Sequence, residues 1–171
     1  MAWFVRAPAW QLFVALMGAF MVLPPVLMAM GLFDFVVVGL VLFFAIYAAW
    51  VGRIGIEANK RLGVALRKSP NLMLFGLCYG LFCMAAVPLL ILSGVAGPRT
   101  LPAAFILQLT AMGLMVYCLW YASRQLTALR MGAQPEANDI KTVLVWMWLF
   151  PIGVWFLQPI VREALGRRLA D

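Results

Sequence analysis

Apolar residues fill five long stretches of this chain, about residues 10–30, 33–51, 71–92, 101–123 and 142–160, and the polar residues gather between them. A helix needs about 20 apolar residues to cross roughly 30 Å of hydrocarbon, and the first four runs meet that length. The pattern predicts an all-α integral membrane protein. It has four transmembrane helices followed by a fifth, proline-broken segment.

Local signals place the ends of these helices. Pro24 and Pro25 lie in the second half of the first run and predict a kink or an early stop there. The few residues around Gly31 make the first two runs a tight helical hairpin, with Asp34 complementing the N-terminal dipole of the second. Arg53, Lys60, Arg61, Arg67 and Lys68 then mark a basic surface segment as the chain leaves the bilayer. Ser69-Pro70 and Thr100 read as starts of the third and fourth helices. Residues 124–141, with Gly132 and Pro135, read as a loop, and Asn138-Asp139 as a cap for the last segment.

The last run, TVLVWMWLFPIGVWFLQPI, is as long as a span but carries Pro151, Gly153 and Pro159. Two readings stand. As a continuous helix it makes a fifth transmembrane span. As a broken one it turns near residues 150–153 and re-enters, leaving a basic tail, 161–171, on the side it came from.

Charge orients the chain. Basic residues cluster at the N-terminus, at 53–68 and at 124–141, which an alternating order of four spans puts on one side. The positive-inside rule makes that side cytoplasmic. Trp3, Trp10, Tyr47, Trp50, Trp120 and Tyr121 fall at the same ends, where an aromatic belt is expected. If the last run crosses, Arg162, Arg167 and Arg168 join Arg99 outside; if it re-enters, Arg99 stands there alone. Three basic residues near an anionic leaflet gain up to about 3 kcal/mol, which favours re-entry. Against it, non-helical backbone at membrane depth must be buried in protein or face a wet cavity.

Composition fixes the class and removes others. With 66% hydrophobic and 11% charged residues and a mean hydropathy of +1.01, the 171 residues form one membrane-embedded unit with no room for a soluble domain. The net charge of +7 sits at the ends of the apolar runs. It reads as contact with anionic lipid headgroups, through Arg53, Lys60, Arg61, Arg67, Lys68, Arg162, Arg167 and Arg168, and no nucleic acid is expected as a partner. The first run resembles a signal peptide only in outline: Arg6 is a single n-region charge and Ala29-Met30-Gly31 a poor cleavage site, so an uncleaved span is expected. The chain has no histidine, which excludes bis-histidine haem, H-E-x-x-H proteases and histidine-box oxygenases. Cys78, Cys83 and Cys118 form no C-x-x-C pair, and no cofactor or metal is expected. Cys78 and Cys118 fall at matching depth on antiparallel neighbours, which admits a pocket beside Tyr79, Tyr117 and Tyr121. Burial as small hydrophobes is the simpler account.

Small residues one turn apart, Ala45/Ala49 and Ala48/Gly52 in the second run and Gly76/Gly80 in the third, provide faces for close helix packing. Gln108 and Thr110 lie inside the fourth run; with Pro151, Gly153 and Gln158 they are candidates to line a cavity. Val161, Leu165 and Leu169 share a helical stripe in the tail, the pattern of an amphipathic helix on an anionic leaflet. Without buried charge or a catalytic constellation, the leading expectation is a non-enzymatic inner-membrane protein that acts through helix contacts. Such a protein is an accessory or assembly subunit, or a homo-oligomer, with lipids and another membrane protein or a second copy as partners. The alternative is a small transporter or channel subunit with its cavity at the broken segment. A membrane enzyme on lipid or quinone would have to use Tyr117, Tyr121, Arg124 and Asp139. An excess of Arg over Lys with abundant Ala fits a bacterial source.

Overall fold

The computed structural model describes residues 7–32, 36–94, 97 and 100–166. Trp3, Arg6, Asp34, Arg99, Arg167, Arg168 and Leu169 lie outside them. Among the described residues the regular structure is helical: α1 (Ala9–Ala29), α2 (Val36–Arg61), α3 (Asn71–Leu92), α4 (Leu101–Met131), α5 (Ala137–Trp148) and α6 (Gly153–Gly166), with a short 3₁₀ turn at Val64–Leu66. The first four are each long and apolar enough to cross a membrane.

The two prolines of α1 do not stop it. Neither can donate a backbone N–H, so the helix widens ahead of them into a π turn over Gly18–Val22, where the Leu23 N–H reaches back to the Gly18 carbonyl. At this bulge α1 meets α2. A Cβ on Gly39 would lie 2.8 Å from both the Ala19 carbonyl oxygen and Pro24 Cγ, so only glycine allows the approach.

Two helices run further than their hydropathy suggests. α2 continues through the basic segment to Arg61, held by the Arg53–Glu57 and Lys60–Glu57 pairs at 3.2 and 3.6 Å. α4 continues through Arg124 to Met131 and ends on Gly132 at φ 68°. The loop expected over 124–141 is therefore confined to the residues between Met131 and Ala137. The helical residues 124–128 are buried, because they pack on protein where a loop would meet water. The cap of α5 is also two residues earlier than expected. Glu136 is the N-cap, and its backbone N–H donates to Asp139 Oδ2 at 2.9 Å in a reciprocal capping box.

α2 is the central helix and packs against α1, α3, α4 and α6. α3 and α4 form the most extensive pair, and α5 and α6 pack on each other, with α5 against α4 and α6 against α1. The core joins Leu12 and Leu16 of α1, Trp50, Val51 and Ile54 of α2, Leu119 and Leu126 of α4, Met147 of α5, and Val154, Leu157, Val161 and Leu165 of α6. Two expectations are corrected here. Val161 and Leu165 are buried in this core, so their stripe faces protein and not a lipid leaflet. Tyr47, Trp50 and Tyr121 are also buried, and only Trp10 and Trp120 of the described belt residues face outward.

Burial is uneven along the bundle. The last buried residue of α1 is Ala19 and of α3 is Cys83, while the first of α4 is Ala111. Beyond these points the described residues of α1, α3 and α4 are half-buried or exposed.

Candidate functional site

The site with most chemistry is built around the broken segment. α5 ends at Trp148, the chain turns through Leu149–Ile152 with a cis Phe150–Pro151 bond, and α6 begins at Gly153. Gly153 sits directly on the backbone of Trp146: a Cβ there would fall 2.5 Å from the Trp146 carbonyl carbon and closer still to its oxygen. The rings of Trp146 and Phe156 then stack at 4.1 Å, 20° from parallel. α6 runs back along α5, so that Asp139 at the start of α5 and Glu163 near the end of α6 line one cavity.

A turn between two helices frees backbone groups that need partners when buried. Here the Gly153 N–H bonds the Leu149 carbonyl at 3.0 Å and the Trp155 N–H the Ile152 carbonyl at 3.1 Å. The Tyr47 hydroxyl donates to the Met147 carbonyl at 2.8 Å. Phe150 fills the space above, with ring centroids 4.3 Å from Tyr47, 5.8 Å from Trp50 and 5.7 Å from Phe43. One turn into α6, Gln158 is fully buried and clamps three elements: Trp50 Nε1–H donates to its Oε1 at 3.1 Å, and its Nε2 donates to the Ala7 carbonyl at 2.7 Å.

The five candidate cavity residues do not converge. Gly153 and Gln158 are buried in packed protein and Pro151 is half-buried in the turn. Thr110 is exposed on α4 and bonds its own helix at the Ile106 carbonyl, 2.9 Å away; Gln108 is half-buried there and makes no hydrogen bond to a described residue. The small residues lie inside the bundle: Gly52 against Leu77, Gly76 against Cys118 and Leu114, Gly80 beside Met115, with Ala48 buried and Ala45 and Ala49 half-buried. Cys78 is exposed and Cys118 buried, its thiol 3.3 Å from the Met73 carbonyl, so the two do not form a pocket.

Several of the basic residues read as headgroup ligands hold the chain's own backbone. Arg61 donates to the Leu165 carbonyl, and Arg67 to the Leu62 and Lys60 carbonyls at 2.8 Å each. Arg53 pairs with Glu57, while Lys60, Lys68 and Arg162 are exposed.

The sequence reading passed over the polar end of α4. Ser123, Arg124, Gln125 and Thr127 are buried, and Arg124 Nη1, both amide atoms of Gln125 and Thr127 Oγ1 have no hydrogen-bond partner among the described residues. Ser123 Oγ donates to Met147 Sδ at 3.3 Å. The signal was present: four polar residues directly continue an apolar run without a Gly or Pro, which extends the helix. Beside them, where the ends of α4, α5 and α6 meet, lies a cavity of about 500 Å³ whose walls include Thr127, Arg130, Asp139, Ile160 and Glu163.

An all-helical chain with four helices long and apolar enough to span a membrane has the architecture of a multi-pass membrane protein. No family model, characterised protein or solved structure matches the chain.

Proposed function

We propose that this chain is a non-enzymatic, multi-pass protein of a bacterial inner membrane that works through helix contacts, as an accessory or assembly subunit or as a homo-oligomer. The N-terminus and the loops after α2 and α4 are cytoplasmic. The α5–α6 hairpin enters from that side and returns to it, carrying the basic tail back to the anionic leaflet.

The observation that carries the contact role is the outer half of the bundle, where the described residues of α1, α3 and α4 include no buried one and the half-buried Gln108 has no hydrogen-bond partner among them. No hydrophobic drive holds helices together in lipid, so small residues and interhelical hydrogen bonds supply the association. A side-chain amide in hydrocarbon without a partner costs at least about 1 kcal/mol, and a neighbouring helix supplies what the described residues do not. The aromatic filling of the α5–α6 turn weighs against a conduit at that point.

Purification in mild detergent with crosslinking tests the contact role. The expected result is a discrete oligomer or a stoichiometric membrane partner, weakened by Gln108→Leu. A clean monomer with no co-purifying protein overturns it. Orientation is read separately with terminal tags, both expected on the cytoplasmic face; a C-terminal tag reached only from outside overturns re-entry.

A further inference from the structure

We infer that the buried Arg124 of α4 and the loop that leads into α3 hold the phosphate of an anionic phospholipid. The inference rests on the membrane placement proposed above but not on helix association.

Arg124 is 6% exposed, and no described residue pairs with it. The sequence offers no acid nearby: between Glu57 and Glu136 the chain has none, so α3, α4 and the loop before α3 supply cations only. Glu57 is held by Arg53 and Lys60, and Glu136 and Asp139 cap α5. A buried charge left without a partner is strongly destabilising, so this guanidinium calls for an anion from outside the chain. Of its nitrogens only Nη1 is sealed and unpaired. Nε and Nη2 make no hydrogen bond to a described residue either, so they remain open. These two form the side edge of the guanidinium, which donates two parallel hydrogen bonds to a phosphate.

Helix register places that edge beside the start of α3. α3 and α4 run antiparallel, with Gly76 against Leu114 and Cys118, and the Cys118 thiol at the Met73 carbonyl. The Tyr121 hydroxyl donates to the Lys68 carbonyl at 2.8 Å. Arg124 stands one turn further along the same face, and a helical side chain leans back towards the N-terminus of its helix. Its guanidinium is within electrostatic reach of the Tyr121 hydroxyl, and so of the loop which that hydroxyl holds.

The start of α3 adds to the attraction. Its N-cap, Pro70, offers no side-chain cap, and Ser69 Oγ accepts from the Asn71 N–H only at 3.4 Å. The positive end of this 22-residue helix is thus left for an anion. Lys68 and Ser69 are exposed and bring an ammonium and a hydroxyl to the same loop. Trp120, one turn back from Arg124, and Leu72, in the first turn of α3, are exposed and apolar, which suits the acyl chains of a lipid.

The full chain is purified in detergent, and its retained lipid and thermal midpoint are measured with phosphatidylglycerol, phosphatidylethanolamine or inorganic phosphate added. Both lipids carry the phosphate, but the ethanolamine ammonium meets a site without an acid. Phosphatidylglycerol is expected to bind at one per chain, with a preference of about tenfold, equivalent to about 1.4 kcal/mol. Arg124→Gln removes the preference, and without lipid it is at least as stable as the unaltered chain, because the unpaired charge is gone. Lys68→Gln weakens the preference, while Lys141→Gln, at an exposed lysine on α5, leaves it unchanged. Equal binding of the two lipids, a preference that survives Arg124→Gln, or an equal fall in both lysine variants overturns the site. Should Arg124→Gln not fold, the two lysine variants still decide. Inorganic phosphate separates the sources: no shift assigns the site to lipid, and a shift equal to that of phosphatidylglycerol overturns the lipid assignment. Gln108→Leu leaves the preference intact, which separates failure here from failure of helix association, and the measurement reads nothing of orientation.

Discussion

Gly153→Ala should open the α5–α6 hairpin. Gly153 is not required for a left-handed backbone, since Gly31, Gly94 and Gly132 are the glycines with positive φ. It is required by distance: a Cβ would lie 2.5 Å from the Trp146 carbonyl carbon and 3.1 Å from its Cα. The obstacle is backbone, so no rotamer change relieves it, and α6 must move away from α5 by more than an ångström. That movement breaks the Trp146–Phe156 stack, worth about 0.5–1.5 kcal/mol. It also breaks the Tyr47 hydrogen bond to Met147, whose loss leaves a buried carbonyl unpaired at about 1–3 kcal/mol. Overpacking strain adds about 1–3 kcal/mol. A loss of about 3–6 kcal/mol is expected, large against the 5–15 kcal/mol of a whole domain. The assay is thermal or SDS-driven unfolding in detergent followed by circular dichroism, with Gly113→Ala as control. Gly113 has open space around its Cβ position, so its variant should be neutral or more stable. A Gly153→Ala midpoint equal to that of the control would refute the close approach and the hairpin built on it.

Other substitutions probe the same architecture by different means. Gln158→Leu leaves the Trp50 N–H and the Ala7 carbonyl without partners and should cost about 2–4 kcal/mol. Proteolysis near the N-terminus should accelerate in that variant, and unchanged digestion would count against the clamp. Tyr47→Phe removes one hydrogen bond and keeps the ring against Phe150, for a loss of about 1–2 kcal/mol in the same unfolding assay. Gly76→Val should cost about 1–3 kcal/mol, because a Cβ already lies 2.8 Å from Cys118 Sγ. Adding Cys118→Ala should return part of that loss, and strict additivity in the double variant would show that the two sites do not touch.

Hydropathy alone located the four long helices because lipid leaves the apolar runs uninterrupted. It missed the far ends of α2 and α4, where the helix leaves the hydrocarbon and polar residues face protein. Arg124–Met131 looks like loop composition, and its helicity comes from packing of Ser123, Leu126 and Thr127 against the hairpin, a tertiary cause with no periodic apolar signature. Tyr47, Trp50 and Tyr121 were misplaced for a related reason. A ring with a polar tip suits a headgroup layer and a buried carbonyl equally well, and here the tips go to Met147, Gln158 and Lys68. The break at Pro151 and Gly153 was visible as residue types, but that Gly153 must touch Trp146 is a fact of three dimensions. The buried polar end of α4 was equally hidden, since burial of Arg124 depends on which elements fold over it.

The hairpin also explains why buried residues gather at one end of the bundle. α5 has 12 residues and rises about 18 Å, a little over half of a hydrocarbon core about 30 Å thick. On α3 the last buried residue, Cys83, lies 12 residues from Asn71, again about 18 Å in. Burial on α1 stops at Ala19, ten residues from Ala9, about 15 Å. Packing thus fades at the depth the hairpin reaches, because the hairpin is the element that joins α1 to α4 across α2. Past its tip the described residues of α1, α3 and α4 are half-buried or exposed. On the function proposed above, the half-buried Gln108 at that depth marks where another helix would pack.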